Sequence, residues 1–168
     1  DKNGDIIQEF IPYKVFVLTM ADGILSTQNG LSLPSNTITL SSPTLAVTNV
    51  LTAKSYLGNT AYQINVSFNK ILDESTISEY RIIFIETSLT ASFNKDSAFL
   101  IPPGGYYSVS PIDTNIQISF NSDTLHDYST NNIDHLTDYK IYVLSVADGI
   151  VANVNALSTP SVSFNLSS

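Results

Sequence analysis

Residues 13–42, YKVFVLTMADGILSTQNGLSLPSNTITLSS, recur 126 positions later as YKIYVLSVADGIVANVNALSTPSVSFNLSS at 139–168. Sixteen of the thirty aligned positions are identical without a gap, against about two for unrelated segments, so duplication within a tandem array is the economical account. With Ser42 aligned on Ser168, residues 43–168 make one unit of 126 residues and residues 1–42 the last third, or final two strands, of another. A third of a domain buries too little apolar surface to offset its ordering entropy. Residues 1–42 are therefore expected to pair with a preceding segment or a neighbouring chain, or else to stay frayed.

The apolar content of 43% marks a folded chain, and 126 residues suit one domain. Only 13% of residues are charged, about half the usual share, and Ser, Thr and Asn carry most of the polarity, as on secreted β-proteins. A net charge of −8 with seven Lys and Arg argues against a phosphate backbone as partner. The same sign repels anionic lipid, and no apolar run approaches the roughly 20 residues that span a bilayer. The absence of cysteine fits an intracellular protein or a surface protein of a bacterium that does without disulfides.

Period two runs through most of the chain and predicts an all-β fold. In AYQINVSFNK (61–70), Ile64, Val66 and Phe68 alternate with polar residues, and NIQISFN (115–121) repeats the pattern with Ile116, Ile118 and Phe120. TLAVTNV (44–50) and SVSFNL (161–166) are expected as shorter strands, placed near Pro43 and Pro160. ISEYRIIFIE (77–86) and YKIYVLSVA (139–147) are apolar on both faces and should be buried on both. One short helix is expected within SFNKDSAFLI (92–101). Several short strands with turn signals between them suggest a β-sandwich.

The run Leu136, Thr137, Asp138, Tyr139, then Ile141 and Val143, then Ala147, Asp148, Gly149, and then Pro160 and Ser161 resembles the closing F and G strands of fibronectin type III domains. INVSF resembles strand B, with Phe68 where that family commonly has Trp, and ISEYRI resembles strand C. The phrases YKVFVLTMADGI and DESTISEYRI are most similar to fibronectin-like repeats of secreted and surface proteins of Gram-positive bacteria, a likeness that spans most of 43–168. The resemblance implies an antiparallel fibronectin type III or immunoglobulin-like sandwich in tandem repeats and an extracellular or cell-surface location. It also implies a tyrosine corner at Leu136 and Tyr139, where the phenol bonds back to upstream backbone. No catalytic residue comes with it.

If the C-like and F-like strands pair, Ile83, Ile85, Tyr142 and Leu144 form an apolar patch facing away from the core. Either the 88–111 segment covers it with Phe93, Phe99, Leu100 and Ile101 before turning at Pro102, Pro103, Gly104 and Gly105, or it is a contact with another repeat or an identical chain.

Asp1, Asn3, Gly4 and Asp5 form D-x-N-G-D, whose oxygen ligands resemble a calcium-binding turn, although the distal Glu of an EF-hand is missing. A solvated turn is the plainer reading. The second copy has Asp127, Ser129, Thr130 and Asn131 there, with Asp123, Asp134 and Asp138 nearby.

His126 and His135 lie outside any nucleophile or zinc motif, and Asp73 and Glu74, adjacent on an extended chain, point apart. Asp22-Gly23 and Asp148-Gly149 are turn signals. Tyr56, Tyr62, Tyr106, Tyr107 and Tyr128 offer rings for carbohydrate, though Tyr also serves ordinary packing. Asn65 and Asn165 sit in N-x-S sequons within expected strands.

The expected function is a non-catalytic structural or adhesive repeat, a spacer or a building block of a filament, needing no cofactor and joined through Ser-Ser-Pro at 41–43. The alternative is an accessory substrate-binding or positioning module of a secreted hydrolase.

Overall fold

The computed structural model describes residues 1–8, 11–40, 43–58, 61–111 and 116–167. The expectations that involve Ser41, Ser42, Asn115 and Ser168 lie outside them. The chain divides into two compact units, Asp1–Ser42 and Pro43–Ser168. Each is made chiefly of antiparallel strands.

Among the described residues the first unit holds four two-residue strands. β1 (Pro12–Tyr13) pairs with β4 (Ile38–Thr39), and β2 (Leu18–Thr19) pairs with β3 (Gly30–Leu31), both antiparallel.

Among the described residues the second unit holds seven strands. β5 (Thr48–Gly58), β6 (Ala61–Asn69) and β9 (Ile116–Asn121) form one sheet in the order β5-β6-β9. β7 (Ile77–Glu86), β8 (Tyr107–Val109), β10 (Tyr139–Ala147) and β11 (Ala156–Leu157) form another in the order β11-β10-β7-β8. All pairings are antiparallel.

Period two decides which side chains are shared. Tyr62, Ile64, Val66 and Phe68 of β6 meet Tyr80, Ile82 and Phe84 of β7 and Tyr139, Ile141 and Val143 of β10 in one buried cluster. Both sheets thus feed a single core. Phe84 lies at its centre, edge-on to Tyr107, Phe120 and Phe164 at 5.5–6.3 Å between centroids, separations at which ring quadrupoles attract. Phe68 packs edge-on to Tyr80 at 5.3 Å.

The alternate residues of β7 and β10 bury a second cluster on the other side of their sheet. Ile83, Ile85, Tyr142, Leu144 and Val146 gather there with Ala98 and Ile101. The helix α1 (Lys95–Phe99) reaches this face, capped by Asn94, whose side-chain oxygen accepts from the Asp96 and Ser97 amides. The chain then turns at Pro102–Gly105, where the Gly105 N–H donates to the Pro102 carbonyl at 3.1 Å. A Cβ on Gly105 would run into the Tyr128 carbonyl oxygen, so only glycine permits this approach.

Two expected strands differ. β5 begins only at Thr48 and continues to Gly58, with an irregularity between Thr48 and Leu51 and Asn49 at φ 53°. SVSFNL forms no regular strand: only Phe164 bridges, to Tyr139. Serine side chains replace the missing ladder. Ser158 Oγ accepts from the Val143 N–H at 2.9 Å, and Ser161 Oγ from the Ile141 N–H at 3.0 Å. Among the described residues no helix is long and apolar enough to cross a membrane.

Candidate functional site

The duplicated residues repeat bond for bond. In the second unit the Asp134 N–H donates to the Tyr139 phenol oxygen at 3.1 Å; 126 positions earlier the Gln8 N–H donates to Tyr13 at 3.0 Å. Ser32 and Ser35 accept from the Val17 and Val15 amides as Ser158 and Ser161 do from Val143 and Ile141. Asn29 accepts from Ala21 as Asn155 does from Ala147. The register agrees as well: Leu18 faces Leu31 where Leu144 faces Leu157. The serine brackets come from L-S-x-P-S, present in both copies at 31–35 and 157–161. Residue patterning alone gave these serines no role.

Burial does not repeat. Leu144 is 0% exposed and Leu18 55%. Val15, Phe16, Val17 and Met20 are likewise exposed where Ile141, Tyr142, Val143 and Val146 are buried. A lone hairpin cannot cover either of its own faces.

The turns repeat with their electrostatics. Asp22 Oδ1 accepts from the Ile24, Leu25 and Ser26 amides, and Asp148 Oδ1 from Ile150, Val151 and Ala152, at 2.9–3.1 Å. These amides hold both carboxyls below the ordinary carboxylate range. Gly23 and Gly149 share φ 75°, as the Asp-Gly signal requires.

The D-x-N-G-D segment belongs to the same correspondence. Asp1 Oδ1 accepts from the Asn3 and Asp5 amides, just as Asp127 Oδ1 accepts from Ser129 and Asn131. Gly4 and Thr130 occupy the same positive-φ position, at 85° and 67°. One oxygen of Asp1 is therefore engaged in holding a turn, and Asp127 is buried in the same role. Among the described residues no three His, Asp or Glu side chains converge so as to hold a metal ion. The segment carries the structure of a turn.

Ile83, Ile85, Tyr142 and Leu144 are brought together and buried. Their cover is Ala98 and Ile101, with Phe93, whose ring lies 5.0 Å from Tyr142. Phe99 and Leu100 turn outward instead. Phe99 lies beneath the Arg81 guanidinium, which is also 4.3 Å from the Tyr106 ring centroid. Of the two residues expected at a tyrosine corner, Tyr139 is buried and its hydroxyl accepts from the Asp134 N–H, while Leu136 projects into solvent. Burial pushes the Tyr139 phenol up.

The remaining polar candidates are dispersed. Asp73 caps a short turn by accepting from the Ser75 amide at 3.0 Å. Glu74 accepts from the Tyr80 hydroxyl at 2.9 Å and pairs with Lys70; burial, then the Glu74 bond, pushes the Tyr80 phenol up. His126 is part-buried, its amide donating to the Tyr107 hydroxyl at 2.7 Å and its Nδ1 buried without a partner. Asn65 accepts from Ser119, and Asn165 donates to Asp138. Tyr106, Tyr107 and Tyr128 pack against the two clusters.

The Tyr56 and Tyr62 rings lie side by side, with centroids 5.3 Å apart and planes tilted by 58°. With Lys54, His135, Leu136 and Leu166 they line an open groove of about 600 Å³. No family model, curated protein or solved structure matches the chain.

Proposed function

We propose that the chain is a non-catalytic structural module of an extracellular or cell-surface protein, in which fibronectin type III-like β-sandwiches serve as repeated bricks of a spacer or filament. The observation that carries this reading is the recurrence, at a spacing of 126 residues, of one hairpin with its register, serine brackets and carboxylate-held turns. Evolution of a catalytic site does not call for such repetition; construction of an array does.

The strand order supports the family resemblance. The B-like strand β6 lies between β5 and β9, and the C-like strand β7 pairs with the F-like strand β10, with residues of both sheets in one core. In this reading residues 1–42 are the F–G hairpin of a further brick. Its exposed apolar faces are completed by strands patterned like residues 43–126, whose own seat on 127–168 has the same register. The low share of charged residues, 13%, permits close lateral packing of bricks.

Electron microscopy of purified native material tests the proposal. The expected result is a regular polymer or stalk with a repeat one brick long. Isolated particles showing no repeating unit would overturn it.

A further inference from the structure

The hairpin of residues 13–40 has one edge that its own bonds leave open. The Val15 and Val17 N–H groups donate to Ser35 Oγ and Ser32 Oγ, and the Ser35 and Ser32 N–H groups return bonds to the Val15 and Val17 carbonyls at 2.9 Å. All of these groups point toward the hairpin's second strand. Backbone direction alternates along an extended chain, so the N–H and C=O groups of Lys14 and Phe16 point the other way. Among the described residues neither makes a backbone hydrogen bond.

In the second copy the same edge is occupied. Ser161 and Ser158 bracket Ile141 and Val143, while Lys140 and Tyr142 on the opposite edge stand across from Ile85 and Ile83 of β7. The seated strand carries four successive apolar residues, Ile82 to Ile85, each at most 1% exposed. Ile82 and Phe84 enter the main core beside Ile141 and Val143, and Ile83 and Ile85 enter the second cluster beside Tyr142 and Leu144.

The first copy presents the same surface to solvent. Val15, Phe16, Val17 and Leu18 stand where Ile141, Tyr142, Val143 and Leu144 do, and they are 51 to 63% exposed. A strand apolar on both faces belongs in an interior, and an unpaired edge is a template for a further strand.

We infer that the Lys14–Leu18 edge is a binding site for one antiparallel strand of β7's kind, contributed by another repeat and seated in the register that β7 keeps on β10. Its chemistry is that of an extended segment with four successive aliphatic or aromatic residues. The inference rests on the structural-module reading above and names the strand and the register that complete the hairpin. The occupant follows from the strand already seated on the duplicate hairpin, whose bracketing bonds are the same. β7 itself is held between β10 and β8, so a different repeat supplies the strand. In the transposed register Phe16 lies opposite the counterpart of Ile83, and Val17 opposite that of Ile82.

The chain has no cysteine, so a disulfide can report that register. Val143 and Ile82 face each other as a pair without mutual hydrogen bonds, which sets their Cα atoms about 4.5 Å apart, within disulfide reach. The full chain carrying Val17→Cys is oxidised with a synthetic peptide of residues 77–86 carrying Ile82→Cys and a solubilising Lys-Lys tail. The expected product is a one-to-one adduct in which exchange of the Phe16 amide is slowed. A peptide carrying Ile83→Cys instead turns its sulfur to the opposite face and should give no more adduct than a scrambled peptide. Adding Phe16→Pro to the chain removes an edge N–H. It should abolish the Ile82→Cys adduct without lowering the melting midpoint of the 43–168 unit, since Phe16 is exposed.

No adduct, equal adducts from the two cysteine peptides or the scrambled one, or an adduct that survives Phe16→Pro overturns the site. So does a chain-to-chain disulfide at Val17→Cys that shuts the peptide out, because the hairpin would then pair with its own copy. Regular polymers by microscopy without the register-specific adduct would leave the module reading standing and remove the strand site. The adduct without polymers would do the reverse.

Discussion

Residues 13–40 and 139–166 are the same hairpin in two circumstances. Both keep the phenol bond at the first strand, the two serine brackets and the carboxylate-held turn. Among the described residues, the second is joined by further strands of its own unit, β10 pairing with β7, whereas the first pairs only within itself. The comparison separates two layers of folding information. Bonds between residues near in sequence are specified within thirty positions, whereas burial depends on strands supplied from elsewhere.

The largest expected difference between the copies is in core truncation. Leu144→Ala should destabilise the 43–168 unit by about 2 to 5 kcal/mol, and Phe84→Ala by about 3 to 5 kcal/mol. Leu18→Ala, at the position matching Leu144, should shift the same denaturant transition by less than about 0.5 kcal/mol. Equal shifts for Leu18 and Leu144 would break the comparison.

The serine brackets come next. Ser158→Ala and Ser161→Ala each leave a strand amide in the interior without its acceptor, at a cost of about 1 to 3 kcal/mol. Ser32→Ala and Ser35→Ala expose their amides to water and should leave that transition in place. Tyr139→Phe follows, with a loss of about 1 kcal/mol from the Asp134 bond, against none detectable for Tyr13→Phe. Thermal melts of the paired variants check both sets.

The smallest effect should be common to both copies. Because the turn amides lower the Asp22 and Asp148 carboxyls, their stabilisation is present above the ordinary Asp value of 3.8. It is lost as pH falls through the lower folded values. An NMR titration of the amides at 24–26 and 150–152 should give midpoints below that of an ordinary Asp in both turns. A normal midpoint at Asp22 alone would mean that its turn is not held locally.

Much of this was legible in sequence for a physical reason. Strands facing solvent on one side advertise themselves by alternation, as β6 does, and strands apolar on both sides announce a second covered face, as β7 and β10 do. β5 was cut short because residues 51–58, LTAKSYLG, lie on a sheet edge with mostly exposed side chains. Backbone pairing alone defines them, and it leaves no periodic trace. SVSFNL alternates well, yet Pro160 and the serine brackets divert the ladder. Phe99 and Leu100 read as core by hydropathy, but α1, at five residues, presents Ala98 inward and leaves both outside, Phe99 beneath Arg81. The groove was hidden because Tyr56, Tyr62 and Leu136 come from separate stretches.

Amide hydrogen exchange on the intact chain tests the central claim most directly. Val15 and Val17 donate to serines at 3.0 and 2.9 Å, as Ile141 and Val143 do. If the copies share bonds and differ in burial, the Ile141 and Val143 amides exchange only through global unfolding, while those of Val15 and Val17 exchange through local opening, orders of magnitude faster. Equal protection at all four amides would contradict the account.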